Sequence, residues 1–229
     1  MTRIILVRHC EAVGNTLGVF QGSTDCDISG HGKEQLELLA LRFRNTPIDA
    51  IYASNLKRAR KTAEAINRYH NLPLQIEPML REMDGGDFEG KSWSELAELY
   101  PEEIEKWYAD PGAFCPANGE PASMVYDRMW KAVTGIVQKN KGKTVCCVSH
   151  GCAIRNFLCH ALNKPLEEMR EVPGLYNTAV SIVDFDDEMH CNVVLMNDVS
   201  HLPPEMYENG KGAWWKKRNP EKCAARRDS

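Results

Sequence analysis

The chain of 229 residues lacks a long hydrophobic run, a CxxC pair and any internal repeat. No apolar stretch approaches the roughly 18 residues that cross a bilayer, which excludes a membrane span. The apolar stretch from Ile4 to Val7 runs directly into Arg8 and is too short for the core of a signal peptide. We therefore expect a cytoplasmic protein that has no membrane partner.

An excess of basic residues is also missing. The chain carries 28 Lys and Arg against 32 Asp and Glu, which gives a net charge of −4. Proteins that bind nucleic acid use clustered Lys and Arg to contact phosphates, so no nucleic-acid partner is expected. The length and the hydrophobic content of 43% are those of an ordinary globular protein. We expect one domain over residues 1–229, of which residues 216–229 form a flexible tail.

The nine cysteines are odd in number and scattered. This usage is typical of reduced thiols that serve as small buried hydrophobic residues. A metal site would need closely spaced Cys and His pairs, and the nearest candidates are Cys147 with Cys152 and Cys159 with His160. We expect no metal.

Short β-branched and apolar runs alternate with helical patterns. The candidate strands are Arg3 to Val7, Ala50 to Ala53, Leu74 to Ile76, Thr144 to Ser149, Ala179 to Phe185 and Asn192 to Met196. The candidate helices are Gly32 to Arg44, Leu56 to Tyr69 and Ser123 to Lys139. This alternation predicts an α/β protein, a three-layer sandwich in which helices flank a mostly parallel central sheet.

The segment 85–122 departs from this rhythm, because it is rich in aromatic residues, Pro and Gly. We interpret it as a small inserted cap over the edge of the sheet, although a long crossover connection is an alternative. Two helix starts are marked in the sequence. Ser29 is a candidate N-cap, and Ser92 with Glu95 has the spacing of a capping box.

Four polar residues lie where predicted strands lead into helices, namely Arg8, His9, Arg58 and His150. Ligands of parallel α/β sheets collect at these carboxyl ends, and helix N-termini there attract anions. Guanidinium groups suit phosphate, so the four residues indicate an oxyanion site. Two alternatives stay open at this point: the histidines could be structural, and Arg58 could be a solvated helix residue.

Five motifs in order resemble the histidine phosphatase superfamily, the phosphoglycerate mutase-like proteins. They are LVRHCEAVGN from Leu6 to Asn15, FQGSTDCDISGHG from Phe20 to Gly32, ASNLKRARKTA from Ala53 to Ala63, LREMDGGDFEG from Leu80 to Gly90 and VSHGCAIRNFL from Val148 to Leu158. Together they extend through nearly the whole chain, and an RHxE motif alone would be a weak signal.

The resemblance implies a role for each motif. His9 would attack phosphorus and form a phosphohistidine, while Arg8, Arg58 and His150 would hold the phosphoryl oxygens. Neutral imidazole is nucleophilic near pH 7, and fixed cations offset the charge on the oxygens. Glu82 would protonate the leaving oxygen and then activate water. Neither a metal nor a cofactor would be required.

The resemblance also implies a supporting set of residues. Asn15 and the groups from Gln21 through Gly22 to Ser23 would bind phosphate or the leaving group. Glu11 would orient the loop by hydrogen bonds.

Three other carboxylates, Asp84, Asp87 and Glu89, lie near Glu82 in sequence and are rivals for the role of the acid. Glu82 is preferred because it occupies the family's position.

One residue departs from the family's pattern, since Cys10 stands where Gly is usual. A side chain there could crowd the loop, or it could place a thiol of lowered pKa beside the cationic pocket. The second possibility leads to the hypothesis that oxidation inhibits activity.

The expected function is hydrolysis of a small phosphorylated metabolite through a phosphohistidine. The sequence distance from Glu82 to His150 is modest, which is more typical of the phosphatase branch than of the mutases. The run from Leu175 to Asp186 also resembles the phosphatase branch more than the mutases. A cofactor-dependent phosphoglycerate mutase and a non-catalytic phosphate-binding protein are the alternatives. A metal-dependent hydrolase on His9 and His150 lacks nearby carboxylates, and the sequence leaves a homodimer open.

Aromatic residues would shape the leaving-group pocket. Phe20, Trp93, Trp107 and Tyr108 are the candidates, although each is more typical of cap core.

Overall fold

Six strands form one mixed sheet at the centre of the protein, in the spatial order β3-β2-β4-β1-β5-β6. The computed structural model describes residues 1–207, so the tail predicted at 216–229 lies outside the described residues. The strands are β1 (Thr2–Arg8), β2 (Ala50–Ala53), β3 (Leu74–Ile76), β4 (Thr144–Ser149), β5 (Val180–Phe185) and β6 (Cys191–Asp198). All six coincide with strands predicted from the sequence, to within two residues at each end.

The described residues form seven α-helices. They are α1 (Val13–Leu17), α2 (Gly30–Phe43), α3 (Lys57–Asn67), α4 (Trp93–Leu99), α5 (Pro101–Ala109), α6 (Ala122–Lys139) and α7 (Gly151–Ala161). The predicted start signals are confirmed: the hydroxyl of Ser29 accepts from the N–H of Gly32, and Ser92 and Glu95 form a capping box.

The four strands β3, β2, β4 and β1 pair in parallel, whereas β5 runs in the opposite direction and pairs antiparallel with both β1 and β6. The prediction of a mostly parallel sheet is therefore confirmed. A parallel pair needs a crossover connection, usually a helix. The link between β5 and β6 is the short turn 186–190, which has room only for a hairpin.

Alternating residues of β1 divide the core into two layers. Ile4 and Leu6 pack in one cluster with residues of α6 and α7, and Ile5 and Val7 pack in a second cluster with residues of α2 and α3. Successive side chains of a strand point to opposite faces, so a strand that is apolar throughout must be covered on both sides. This arrangement is the predicted three-layer sandwich.

The segment 85–122 contains α4 and α5 and joins the same core as α6 and α7. Its aromatic rings contact one another edge to face: the ring centroids of Phe88 and Phe114 are 5.8 Å apart, and those of Trp107 and Phe114 are 4.6 Å apart. Such pairs add to the stabilisation from buried area. The segment is therefore packed on the body through aromatic contacts.

Two further observations concern residues 1–207. No helix among them has the length and apolar content to cross a membrane. The eight cysteines in this part of the chain are free of disulfides.

A buried ion cluster attaches the end of the cap segment to the loop that carries Glu82. The carboxylate of Glu120 accepts from Arg81 Nη1 and Arg128 Nε, each at 2.7 Å. Arg128 also donates to the carbonyls of Arg81 and Glu82. The hydrogen bonds and charges of the two arginines outweigh the burial of Glu120 and lower its pKa to about 2.

Replacing Glu120 by Gln tests this cluster through its pH dependence. The folded pKa lies below the value of about 4.3 in an unfolded chain, so the stabilisation is present above pH 4.3 and is lost as the pH falls toward 2. We expect E120Q to lower the free energy of unfolding by about 2 kcal/mol at pH 7 and by less at pH 3. Urea unfolding at both pH values measures the difference.

The exposed Glu98 offers the matched control, and E98Q should unfold like the native chain at both pH values. A deficit in E120Q that is the same at pH 3 as at pH 7 would contradict the role of the Glu120 charge.

Candidate active site

The two predicted site histidines lie at the carboxyl ends of adjacent parallel strands. Arg8, the last residue of β1, is in register with Ser149, the last residue of β4. His9 and His150 follow these residues directly, and their ring centroids are 5.1 Å apart. Strand pairing therefore brings together two residues that are 141 positions apart in sequence (150 − 9 = 141).

His9 is 4% exposed and held in one tautomer. Its Nδ1 lies 2.6 Å from the carbonyl oxygen of Cys10, and a carbonyl can only accept, so Nδ1 carries the proton. The lone pair of the neutral ring is therefore on Nε2. Burial, followed by the charges of Arg58 and Arg8, holds the pKa of His9 well below its usual value. His9 is a neutral imidazole at pH 7.

The main chain of His9 is fixed by a loop that sequence reasoning did not single out. The carbonyl of His9 accepts from Nδ2 of Asn177 at 3.0 Å and from the N–H of Thr178 at 3.3 Å. Thr178 is buried and has φ of 57°, in the left-handed region that a β-branched residue rarely occupies. Strained backbone of this kind concentrates at functional sites. A positive φ leaves no signature in the sequence when the residue is Thr.

Arg8 and Arg58 are buried cations without a carboxylate at ion-pair distance in the part of the chain that the structure describes. Nη1 of Arg8 donates to the carbonyl of Leu175. The two Nη groups of Arg58 donate to the carbonyls of Thr24 at 2.7 Å and Gly22 at 2.8 Å. Burial lowers the pKa of Arg8 to about 10 and also lowers the pKa of Arg58. Both charges remain in place at neutral pH.

Three nitrogens of the site are buried and have no hydrogen-bond partner within residues 1–207: Nε of Arg8, Nε of Arg58 and Nδ1 of His150. The other ring nitrogen of His150 lies 2.8 Å from the hydroxyl of Ser54. Buried polar groups are normally paired, and leaving one unpaired is costly. Each of the three residues predicted to hold a phosphoryl oxygen thus has one unused nitrogen.

Glu82 binds the N-terminus of α7. Its carboxylate accepts from the N–H groups of Cys152 at 3.0 Å and of Ala153 and Met83 at 2.9 Å each. The N–H groups of Cys152 and Ala153 would otherwise be unsatisfied in the first turn of the helix, and the helix dipole favours a negative charge there. Three donors therefore fix the position of the Glu82 carboxylate on the wall of a cavity.

A cavity of about 410 Å³ opens between the strand ends and the cap segment. Of the predicted site residues, five line this cavity: Arg8, His9, Asn15, Gln21 and Glu82. Arg58 and His150 are fully buried. The charge of Arg58 contributes to lowering the pKa of His9, and the ring of His150 lies beside the ring of His9.

The cavity also has an aromatic wall, because Phe20, Trp93 and Trp107 line it. The three ring centroids are 5.5 to 5.8 Å apart. These residues belong at once to the cavity wall and to the packing of the cap. Tyr108 packs against the core and does not line the cavity.

The N–H groups of Gly22 and Ser23, which the sequence suggested for binding phosphate, donate to the carboxylate of Glu89 at 3.1 and 2.8 Å. The N–H groups of Thr24 and Gly85 donate to the same carboxylate. These N–H groups are occupied and do not face the cavity.

The carboxylate of Glu89 therefore stabilises the loop from Gly22 to Thr24, whose carbonyls accept hydrogen bonds from Arg58. The sequence offered Glu89 only as a rival acid, because a loop wrapped around a carboxylate has no fixed sequence spacing.

The structure contradicts the expectation of an exposed thiol of lowered pKa at Cys10. Its side chain is fully buried, with an exposed fraction of 0%, and burial raises the pKa of its thiol to about 11. The thiol packs on the side of the sheet covered by α2 and α3, so it is not presented to the cationic pocket. The N–H of Cys10 donates to the hydroxyl of Thr62.

Glu11 is placed as expected. Its carboxylate accepts from the hydroxyl of Ser29, 2.7 Å away, and its N–H donates to Gln35.

No cluster of three or more His, Cys, Asp or Glu side chains suited to a metal ion occurs among residues 1–207. The site combines a neutral imidazole at His9, the buried cations Arg8 and Arg58, and the carboxylate of Glu82.

The family model described as histidine phosphatase superfamily (branch 1) matches residues 4–199 of the chain. The chain belongs to the histidine phosphatase superfamily. Among curated relatives of this histidine phosphatase, phosphoserine phosphatase 1 of Hydrogenobacter thermophilus is 33% identical over 88% of this chain and 95% of its own length.

Solved structures of the family agree in fold. YhfR of Bacillus stearothermophilus has a TM-score of 0.84 and 30% identity, and the match covers 88% of this chain and 99% of that protein. A phosphoserine phosphatase variant of Entamoeba histolytica, solved with phosphoserine, has a TM-score of 0.77 and 26% identity over 89% of this chain and 100% of its own. The family hydrolyses phosphomonoesters, and this histidine phosphatase is a phosphomonoester hydrolase of a small phosphorylated metabolite. The alternative function, a cofactor-dependent phosphoglycerate mutase, is less favoured than the phosphatase.

Asn177→Ala tests whether the hydrogen bond to the His9 carbonyl positions the imidazole. Loss of one hydrogen bond is worth about 1 kcal/mol, so we expect kcat to fall about fivefold to tenfold while KM changes little. Steady-state kinetics with para-nitrophenyl phosphate provides the measurement.

Asn140→Ala is the matched control, since Asn140 is also buried and its amide donates to the carbonyl of Ile136 far from the site. An equal loss of kcat in both variants would mean that general destabilisation, and not positioning of His9, explains the effect.

The buried thiol leads to a second prediction for the site. Cys10 should resist iodoacetamide at pH 7.5 in the folded protein, because both burial and a pKa of about 11 disfavour the reactive thiolate. The exposed Cys115 is an internal control and should be alkylated. Mass spectrometry of the peptides reads out both positions, and labelling of Cys10 at the rate of Cys115 would restore the hypothesis of an oxidation-sensitive site.

Proposed function

We propose that this chain hydrolyses its phosphomonoester in two steps through a phosphohistidine at His9. Nε2 of His9 attacks phosphorus in line with the leaving oxygen, so that an N–P bond forms as the P–O bond breaks. Glu82 gives a proton to the leaving oxygen. Water then attacks phosphorus, Glu82 takes a proton from it, and the N–P bond breaks to release phosphate and free His9.

The observation that carries this proposal is the set of three unpaired buried nitrogens. Nε of Arg8, Nε of Arg58 and Nδ1 of His150 have no partner within residues 1–207, although each belongs to a buried side chain. A transferred phosphoryl group has three oxygens besides the attacking and leaving atoms, and each needs stabilisation as charge spreads over them. Under the proposed mechanism one of these nitrogens is assigned to each oxygen, and Nδ1 of His150 can donate when the hydroxyl of Ser54 donates to the other ring nitrogen, so that the proton lies on Nδ1.

The state of His9 supports the role of nucleophile. A carbonyl holds Nδ1 and leaves the lone pair on Nε2, and burial, followed by the charges of Arg58 and Arg8, keeps the ring neutral by lowering its pKa. The same cations would bind a phosphoryl dianion. The same two arginines would therefore help to keep the nucleophile neutral and bind the phosphoryl group.

Two further residues have proposed contacts with the substrate. Asn15 lines the cavity, and its side-chain oxygen accepts from the N–H of Ala12, which leaves its amide N–H groups as donors. Gln21 lines the cavity as well. Gly22 and Ser23 are proposed to act through the loop that holds Arg58.

The sequence-based expectations for the whole chain remain predictions. They comprise a single domain with a cap at 85–122 and a cytoplasmic location, and a homodimer stays open.

The experiment that tests the mechanism compares His9→Ala and Glu82→Gln with the native chain in the presence of EDTA. We expect H9A to lose all measurable turnover of para-nitrophenyl phosphate. E82Q should lose about 10² to 10⁴ in kcat on an alkyl phosphate such as phosphoserine. Its loss should be smaller on para-nitrophenyl phosphate, because nitrophenolate leaves without a proton.

Rapid quenching should also trap an acid-labile, base-stable phosphate on the native chain and none on H9A. The matched control is His70→Ala, which removes a histidine bonded to the carbonyl of Phe43 and should leave turnover intact. Turnover by H9A with EDTA present would refute the phosphohistidine mechanism.

A further inference from the structure

The loop 174–178, which precedes β5, holds two residues of the proposed active site. The carbonyl of Leu175 accepts a hydrogen bond from Nη1 of Arg8. The side chain of Asn177 donates to the carbonyl of His9 at 3.0 Å. The position of this loop therefore affects both the proposed nucleophile and one of the cations beside it.

Thr178 ends this loop in an unfavourable backbone conformation. The residue is fully buried, and its φ is 57°. Its N–H donates to the carbonyl of His9 at 3.3 Å. A β-branched residue keeps a left-handed conformation only where its surroundings hold it there. Contacts that hold Thr178 in place therefore act on the main chain of His9.

The ring of His201 makes such a contact, with Nε2 at 3.1 Å from Oγ1 of Thr178. The hydroxyl of Thr178 gives its single proton to the carbonyl of Asn177 at 2.7 Å, so Nε2 is the donor in the contact with His201. On the other side of the ring, Nδ1 lies 2.9 Å from Nη1 of Arg42, and a guanidinium can only donate. The two contacts independently require the same neutral tautomer, with the proton on Nε2.

The charges around His201 agree with a neutral ring. Arg42 of α2 pairs with Asp198 at the end of β6, with 2.5 Å between Nη2 and Oδ2. Burial, followed by the charge of Arg42, outweighs the charge of Asp198 and lowers the pKa of His201 to about 4. The neutral ring is therefore held at pH 7 between a fixed donor and the hydroxyl of Thr178.

A second residue of the same turn binds the same loop. Oδ1 of Asn197 accepts from the N–H of Tyr176 at 2.9 Å, and its Nδ2 donates to the carbonyl of Gly174 at 3.1 Å. With His201 on Thr178, the turn 197–201 contacts the loop at its start, its middle and its end.

Resting on the proposed function, we propose that His201 is a positioning residue for the nucleophile. By donating to Thr178 it holds the backbone whose N–H fixes the carbonyl of His9, and it thereby keeps the imidazole of His9 aligned with phosphorus. His201 is not among the residues that line the cavity. Its loss should therefore slow phosphoryl transfer without weakening the binding of substrate.

The experiment compares His201→Phe with His201→Gln by rapid quenching and by steady-state kinetics on para-nitrophenyl phosphate. Phe fills the space of the ring without a hydrogen bond, whereas the amide nitrogen of Gln can reach the position of Nε2. We expect H201F to lower kcat and the rate of phosphohistidine formation about tenfold, with KM changed by less than about twofold. H201Q should recover most of this loss.

The double variant with Thr178→Val tests the contact itself. T178V removes the hydroxyl that His201 contacts, so adding H201F to it should lower kcat by no more than about twofold further. Losses that multiply would overturn the inference.

A measurement on the native chain needs no variant to fold. The ring nitrogen shifts of His201, recorded by NMR at pH 7, should report the proton on Nε2. A proton on Nδ1 would exclude the donation to Thr178 and overturn the inference.

His190→Phe is the matched control, since His190 bonds to Asp186 in the turn at the opposite end of β5, and it should leave kcat unchanged. A native chain that forms no phosphohistidine refutes the proposed mechanism, and the inference with it. Where the native chain forms one, three results overturn the inference alone: H201F at the native rate, H201Q as slow as H201F, or a loss that falls on KM.

Discussion

The site depends on burying the guanidinium groups of Arg8 and Arg58 where no carboxylate of the described residues 1–207 lies at ion-pair distance from them. Taking a charge out of water is costly, and the cost must be met by hydrogen bonds or by a ligand. Carbonyls of Leu175, Gly22 and Thr24 meet part of it. The loops that carry these carbonyls therefore pack around the two guanidinium groups, and under the proposed mechanism the unpaired Nε of each would donate to the phosphoryl group.

The sheet is what allows this arrangement to form. Because β1 and β4 are adjacent and parallel, their carboxyl ends bring Arg8, His9 and His150 to one point. The helix after β4 then directs unpaired N–H groups at Glu82, which puts the carboxylate on the wall of the same cavity. Cations and carboxylate are thus held by different elements, so they occupy one cavity without forming the close ion pair that would neutralise both.

Much of this could be predicted from the sequence, because strands and strand ends have local signatures. The runs around Val7 and Val148 identified both central strands, and Arg8, His9 and His150 follow from them. Glu89 and Asn177 could not be predicted in the same way, because their importance comes from contacts with loops distant in sequence. The same limit applies to Cys10. Its position next to His9 suggested an exposed thiol, but the side chain packs on the face of the sheet that α2 and α3 cover.

Two chemical requirements of phosphoryl transfer oppose each other in water, where a nucleophilic imidazole near pH 7 is partly protonated and a phosphate dianion repels electron pairs. In this site the charges of Arg8 and Arg58 bear on both requirements. Burial, followed by the charges of Arg58 and Arg8, lowers the pKa of His9, so its ring is neutral. The carbonyl of Cys10 then selects the tautomer with the lone pair on Nε2. Under the proposed mechanism the same two charges would offset the negative charge that this lone pair approaches, so moving either guanidinium would weaken phosphate binding and raise the pKa of His9 together.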